Sequence, residues 1–141
     1  MTATVSCEIP FHDVDSLGIV WHGHYYKYFE LARTALYRSL NFDIDDMGRL
    51  GFTFPVIESQ CRYSGALRYG QQVDISAHFR EWEYYILIEY RISIAGSGER
   101  AAYGHTKQAV CDLAGVLQSY VPDAVTDIIA GHVATVPDET R

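Results

Sequence analysis

Asp13, Asp15, Gly18 and His22 fall within one ten-residue run, Asp13-Val14-Asp15-Ser16-Leu17-Gly18-Ile19-Val20-Trp21-His22, and an amphipathic pattern starts directly after it. Two carboxylates close to a histidine are the raw material of acid/base chemistry. The first turn of a helix adds unpaired backbone N–H groups and partial positive charge, which can polarise a carbonyl or hold an anion. Aspartate is also common in this setting as an Asx-turn or helix N-cap residue, so the run alone leaves both readings open.

The elements that must position these groups are legible on either side. Residues 4–11 alternate as a first strand that Pro10 would end. A helix is expected over 23–40. Tyr25, Phe29, Ala32 and Leu36 form one face, widened by Tyr28, Leu31, Ala35 and Leu40. Asn41 tolerates the left-handed conformation that often closes a helix. The segment 43–51 reads as a polar connection with one short turn. Strands are then expected over 54–63, 73–80 and 86–94, and a last long one over 101–112. The short spacings of the last three favour an antiparallel meander. Pro122 to Ile129 suits a terminal helix, with Gly131 past its end. The sum is an α+β domain over 1–130, one long helix and about five antiparallel strands, with 131–141 expected as a loose polar tail.

Composition narrows the class. At 48% hydrophobic and 21% charged residues the chain is an ordinary globular domain. A formal net charge of −7 argues against a nucleic-acid binder, although local arginines can still hold phosphates. No stretch has the length of a membrane span, and the N-terminal residues lack a secretory pattern, so a cytoplasmic protein is expected. Cys7, Cys61 and Cys111 form no CxxC pair and are expected as buried, reduced, strand-packing residues. Asp13, Asp15, His22 and His24 match no metal-ligand spacing, so no metal is expected.

The run Phe11 to His22, continued by Tyr25, Phe29-Glu30 and Ala32-Arg33, resembles the hotdog-fold acyl-CoA thioesterases. Within them it is similar to the group of 4-hydroxybenzoyl-CoA thioesterase and the short acyl-CoA thioesterases of the bacterial Tol–Pal cluster. The similarity continues through Tyr63 and Arg68-Tyr69-Gly70 and ends with Ala102, Gly104, Thr106, Gln108 and Val110-Cys111-Asp112, about residues 5–125. The resemblance implies a five-stranded antiparallel sheet wrapped around the central helix. It also implies a homodimer or homotetramer with active sites at subunit interfaces, and a substrate that is an acyl-CoA or acyl-carrier-protein thioester. No cofactor is implied, coenzyme A being part of the substrate. Asp15 takes the position of the family's catalytic carboxylate, and the N–H that polarises the thioester carbonyl falls at His22. Histidine at position 22 fits the short acyl-CoA branch, since the 4-hydroxybenzoyl type carries tyrosine there.

Thioester hydrolysis needs an activated water or a nucleophile, and a carboxylate can serve either way. Asp15 is therefore the expected general base or nucleophile. The N–H groups of His22 and Gly23 are the expected oxyanion donors. The His22 side chain is either an assistant to the carbonyl or water, or a plain first-turn residue. Asp13 is expected to fix the loop by hydrogen bonds, and Gly18 to supply a turn. Trp21 and Tyr25 are candidates for the acyl pocket, with Tyr28 and Phe29 beside them. Arg62 and Arg68, with Lys107, are candidates for the phosphates of coenzyme A. Two other uses of the same residues are a hydratase or dehydratase, with Asp15 and His22 as a proton-transfer pair, and a non-catalytic acyl-CoA-binding module.

Overall fold

The computed structural model describes residues 2–135. In chain order it has strand β1 (Thr2–Glu8), helix α1 (Tyr25–Ser39), helix α2 (Ile44–Leu50), and strands β2 (Phe52–Thr53), β3 (Val56–Tyr63), β4 (Gln72–Glu81), β5 (Ile86–Ile94), β6 (Arg100–Gln108) and β7 (Cys111–Asp112). Helix α3 (Asp123–Thr135) follows. Five strands form one antiparallel sheet in the order β1-β4-β5-β6-β3, and β2 pairs with β7 in a separate two-stranded ribbon. The β4-β5-β6 meander is the one the short connections favour. Strand β3 ends up at an edge with β6 as its one neighbour, and nearly all of its residues are exposed.

Helix α1 lies against β1, β4 and β5. Tyr25, Phe29, Ala32 and Leu36 are buried as their spacing predicts, with Tyr28 and Tyr37 beside them. Leu31 is instead 46% exposed, because it falls on the flank that turns away from the sheet. The opposing wall consists of Val73, Ile75, Ala77 and Phe79 from β4 and Ile86, Ile88, Tyr90 and Ile92 from β5. The Phe29 ring stacks on Tyr90 with centroids 4.6 Å apart, which fixes the helix over the sheet. Asn41 takes a positive φ of 55°, as the end of such a helix requires.

Five boundaries differ from the sequence expectation, each for a local reason. The first strand covers Thr2–Glu8 rather than 4–11, because Ile9 bonds to the turn at Gly70–Gln71 and Pro10 leads into a 3₁₀ turn at Phe11. The segment after Asn41 is a real helix rather than a turn. Asp43 accepts from the Ile44 N–H at 2.8 Å, its own N–H donates to Asp46 at 3.0 Å, and Gly51 closes the helix at φ 97°. The expected strand over 54–63 is broken at Pro55, whose carbonyl takes the Ala109 N–H at 2.9 Å while the ring nitrogen has nothing to donate. The same crossing ends β6 at Gln108, so Cys111–Asp112 pairs with Phe52–Thr53 instead of prolonging the last strand. Helix α3 runs through Gly131, because Val125, Ile129 and Val133 make a continuous apolar stripe against the core. Of the expected loose tail, 131–135 are therefore helical, and 136–141 lie outside the described residues.

The stacked Phe29 ring is fully buried. Phe29→Ala should lower the unfolding free energy by about 3–5 kcal/mol, read from the urea midpoint at constant slope.

Candidate active site

Between β1 and α1 the chain makes a 3₁₀ turn at Phe11–Asp13, a tight loop, and a second 3₁₀ turn at His22–His24 that runs into α1. Val14 and Val20 pair across the loop. At its tip Gly18 N–H donates to the Asp15 carbonyl at 3.0 Å, and Asp15 N–H to the Ile19 carbonyl at 2.9 Å. Gly18 has φ +80° with open space where a Cβ would stand, so backbone conformation rather than crowding selects glycine. The Asp15 carboxylate takes the Leu17 N–H on Oδ1 at 2.9 Å, an Asx-turn. No protein donor among the described residues takes its Oδ2.

Asp13 points the opposite way. Its carboxylate is 2% exposed, accepts from Lys27 Nζ on Oδ1 at 2.5 Å and from the Tyr28 hydroxyl on Oδ2 at 2.5 Å, and has His24 Nε2 3.9 Å away. The Asp13 carbonyl also accepts the Trp21 N–H at 3.1 Å, closing the loop behind it. Burial alone would raise the pKa of this carboxyl, but the hydrogen bonds from Lys27 and Tyr28 and the Lys27 charge outweigh it and hold the group below the usual aspartate value.

On the other side of the loop is a cleft of about 390 Å³ lined by Asp15, Ile19, His22, Tyr25, Tyr63 and Ser64, among others. It brings together Asp15 and His22, the two side chains expected to be catalytic, with Tyr25. The first bonds of the helix start run from His24 N–H to the Trp21 carbonyl and from Tyr25 N–H to the His22 carbonyl. The N–H groups of His22 and Gly23 therefore precede the ladder and find no acceptor among the described residues. Tyr63, whose expected role went no further than family likeness, donates its hydroxyl to the His22 carbonyl at 2.8 Å and packs edge-on against Tyr25 at 4.7 Å. Burial, and then the neighbouring Cys61, push its pKa to about 12, so it remains a donor.

The other expected site residues lie elsewhere. Trp21 is 48% exposed and does not line the cleft. Its ring lies over Gly23, where an added Cβ would collide with it, and packs near the rings of His22 and His24. Gly23 thus leaves room for the indole as well as an N–H. Arg62 is exposed on β3. Arg68 is exposed in the following loop, its N–H on Gln71 Oε1 at 2.7 Å, and neither borders the cleft. Lys107 sits on β6 with its ammonium 3.5 Å from Glu58.

Comparison with known proteins gives the family and the fold. Residues 9–140 match the sequence model of the family described as "Thioesterase-like superfamily". The chain is 36% identical over 64 residues to the Bacillus subtilis protein named "Putative acyl-CoA thioesterase YneP", an alignment covering 45% of this chain and 46% of that one. It is 39% identical over 70 residues to an esterase-named protein of Synechocystis, "Putative esterase sll0410", covering 50% of this chain and 42% of the other. The chain spans about half the length of the curated relatives it matches. Among solved structures, a DHNA-CoA thioesterase from Staphylococcus aureus superposes with a TM-score of 0.82 at 22% identity, over 99% of this chain and 95% of the other. At such identity the likeness shows the fold, and the fold is the hotdog.

Whatever the reaction, the grip on Asp13 should govern the stability of this loop. Asp13→Asn should cost about 1–3 kcal/mol at pH 7. A carboxyl whose folded pKa is depressed contributes stability above its unfolded pKa of about 3.9 and loses it as pH falls through the lower folded value. The gap in urea midpoint between wild type and Asp13→Asn should therefore be widest near neutrality and shrink below pH 4.

Proposed function

The chain belongs to the thioesterase-like superfamily, and on that premise we propose that it hydrolyses an acyl-CoA thioester to the free acid and coenzyme A. One observation carries the reading. Asp15 enters the cleft with Oδ1 tied to the Leu17 N–H and Oδ2 left unengaged by protein donors, beside a helix start whose first N–H groups are also unengaged. A thioester carbonyl seated on the His22 and Gly23 N–H groups would have its developing oxyanion stabilised; removing one such donor typically costs about 2–4 kcal/mol in the transition state. Oδ2 of Asp15 would then either take a proton from water as it adds to the acyl carbon, or attack that carbon itself to give an anhydride that water opens. In both routes the C–S bond breaks, the sulfur leaves as thiolate, and a proton from solvent completes the thiol. Tyr63, holding the His22 carbonyl, keeps the polarising peptide aimed into the cleft.

We further read the working form as a homodimer, with a homotetramer as its further association. Support comes from β3, an eight-residue edge with Val56, Ile57 and Tyr63 exposed at 44%, 60% and 46%. Such an edge is a template for pairing. Antiparallel pairing of two β3 strands about Ser59–Gln60 would set Val56 of the partner subunit opposite Tyr63 and Pro55 of the partner subunit opposite Ser64. A cavity of about 490 Å³, bounded by Arg33, Tyr37, Met47, Phe54 and Pro55, would then open toward the Asp15 cleft of the other subunit and could take the acyl group. Histidine at position 22 supports a short acyl group, while solved neighbours of the same fold are named for aromatic acyl-CoA substrates, including gentisyl-coenzyme A. The cytoplasm suits both an acyl-CoA substrate and the three free cysteines.

The test is a panel of short aliphatic and aromatic acyl-CoA thioesters, followed by thiol release and by acid formation. Thiol and acid should appear in equal amounts with multiple turnovers on at least one member. Loss of enoyl-CoA absorbance without thiol would replace hydrolysis by hydration, and stoichiometric binding without turnover would leave only an acyl-CoA-binding module.

A further inference from the structure

On the outer face of the sheet, away from α1, the cross-strand register sets Arg91 of β5 and Arg62 of β3 on either side of Tyr103 of β6. Directly opposed residues share a face. Arg100, on the same strand as Tyr103, lays its guanidinium over the ring at 4.1 Å. Three arginines thus surround one tyrosine that is 36% exposed. Arg33, Arg38, Arg49 and Arg80 each have a carboxylate within 4.0 Å. Among the described residues Arg62, Arg91 and Arg100 have none, the recorded side-chain bond of the three being Arg91 Nε to Ser93 Oγ at 3.1 Å. On a chain of net charge −7, three uncompensated guanidiniums at one place are a concentrated anion-attracting feature.

This patch adjoins the proposed active cleft. Ser64, which lines the cleft, donates its hydroxyl to the Arg100 carbonyl at 3.1 Å and its N–H to the Ala101 carbonyl at 2.9 Å. A flexible arm leaving the cleft over Ser64–Gly65 would emerge beside Arg100. Guanidinium forks match phosphate oxygens in pairs, and an exposed tyrosine offers a flat face to a purine.

We propose that Arg62, Arg91, Arg100 and Tyr103 form a clamp for the phosphorylated adenosine end of coenzyme A, so that the substrate is a nucleotide-bearing thioester rather than one carried on a protein. The inference rests on the thioesterase reading above and specifies which thioester that site takes. Arg62 is the one member the sequence suggested. Arg91, Arg100 and Tyr103 come together only through the sheet register, and Arg68 is not part of the clamp.

The experiment has two arms on the full chain. Calorimetry with adenosine 3′,5′-bisphosphate, in the absence of any thioester, should show binding that weakens with added salt. The Arg91→Gln/Arg100→Gln protein should bind it about tenfold or more weakly, the loss of two charge-assisted phosphate contacts. Kinetics should show a lower KM for acyl-CoA than for the same acyl group on pantetheine, and the double variant should shrink that ratio. Absence of bisphosphate binding to wild type, equal KM values for the two thioesters, or a preferred carrier-protein thioester would each overturn the clamp while leaving hydrolysis standing. Bisphosphate binding as described, with no thioester turned over, would instead remove the hydrolytic reading and keep the clamp.

Discussion

The grip of Lys27 and Tyr28 on the buried Asp13 carboxylate is the contact on which the site depends. A carboxylate out of water is costly unless it is paired and hydrogen-bonded, so this loop has one low-energy seat on the helix. Lys27 and Tyr28 belong to the first turn of α1, and Asp13 lies just ahead of the loop. Their union fixes the angle at which the chain enters the helix. Everything between is then determined within narrow limits: the Asp15 turn, the Val14–Val20 pairing, and the N–H groups at His22 and Gly23. The interaction thus specifies geometry as well as contributing stability.

The sheet supplies the opposite wall. Val20 N–H reaches the Leu67 carbonyl at 2.8 Å, and Tyr63 reaches the His22 carbonyl at 2.8 Å. The loop is thus held from behind by α1 and in front by the end of β3 and its following turn. Tyr63, held by β6 through the pairing with Ala102, shares the cleft with Asp15, so the site combines a local turn with a long-range strand contact. The division of labour between two aspartates two residues apart follows from strand-like alternation: one faces the helix and the other the cleft.

The periodic elements were legible because their apolar spacing is set by burial. The stripe Tyr25-Phe29-Ala32-Leu36 and the alternation in β4 and β5 predict both the helix and the wall it covers. Asp15, Gly18 and His22 were legible as a loop ahead of a helix, and the separate fates of Asp13 and Asp15 followed from family likeness more than from spacing. What escaped depends on partners far away in sequence. Pro55 and Ala109 break two strands by bonding to each other, and the Asp43–Asp46 box turns a polar connection into a helix. Tyr63 meets His22, and Arg91 meets Tyr103, only once the sheet has its register. No local pattern encodes such meetings.

The central claim is that the Asp15 carboxylate is the base or nucleophile, with the His22 and Gly23 N–H groups polarising the carbonyl and Asp13 holding the loop that carries them. The most direct measurement is kcat for Asp15→Asn on whichever thioester the wild type turns over, taken beside the thermal midpoint of the same protein. Asparagine retains the side-chain oxygen for the Leu17 N–H but can neither take a proton nor attack. The account predicts a midpoint close to wild type with kcat lowered about a hundredfold or more. Turnover within a few-fold of wild type in a folded Asp15→Asn protein would contradict it.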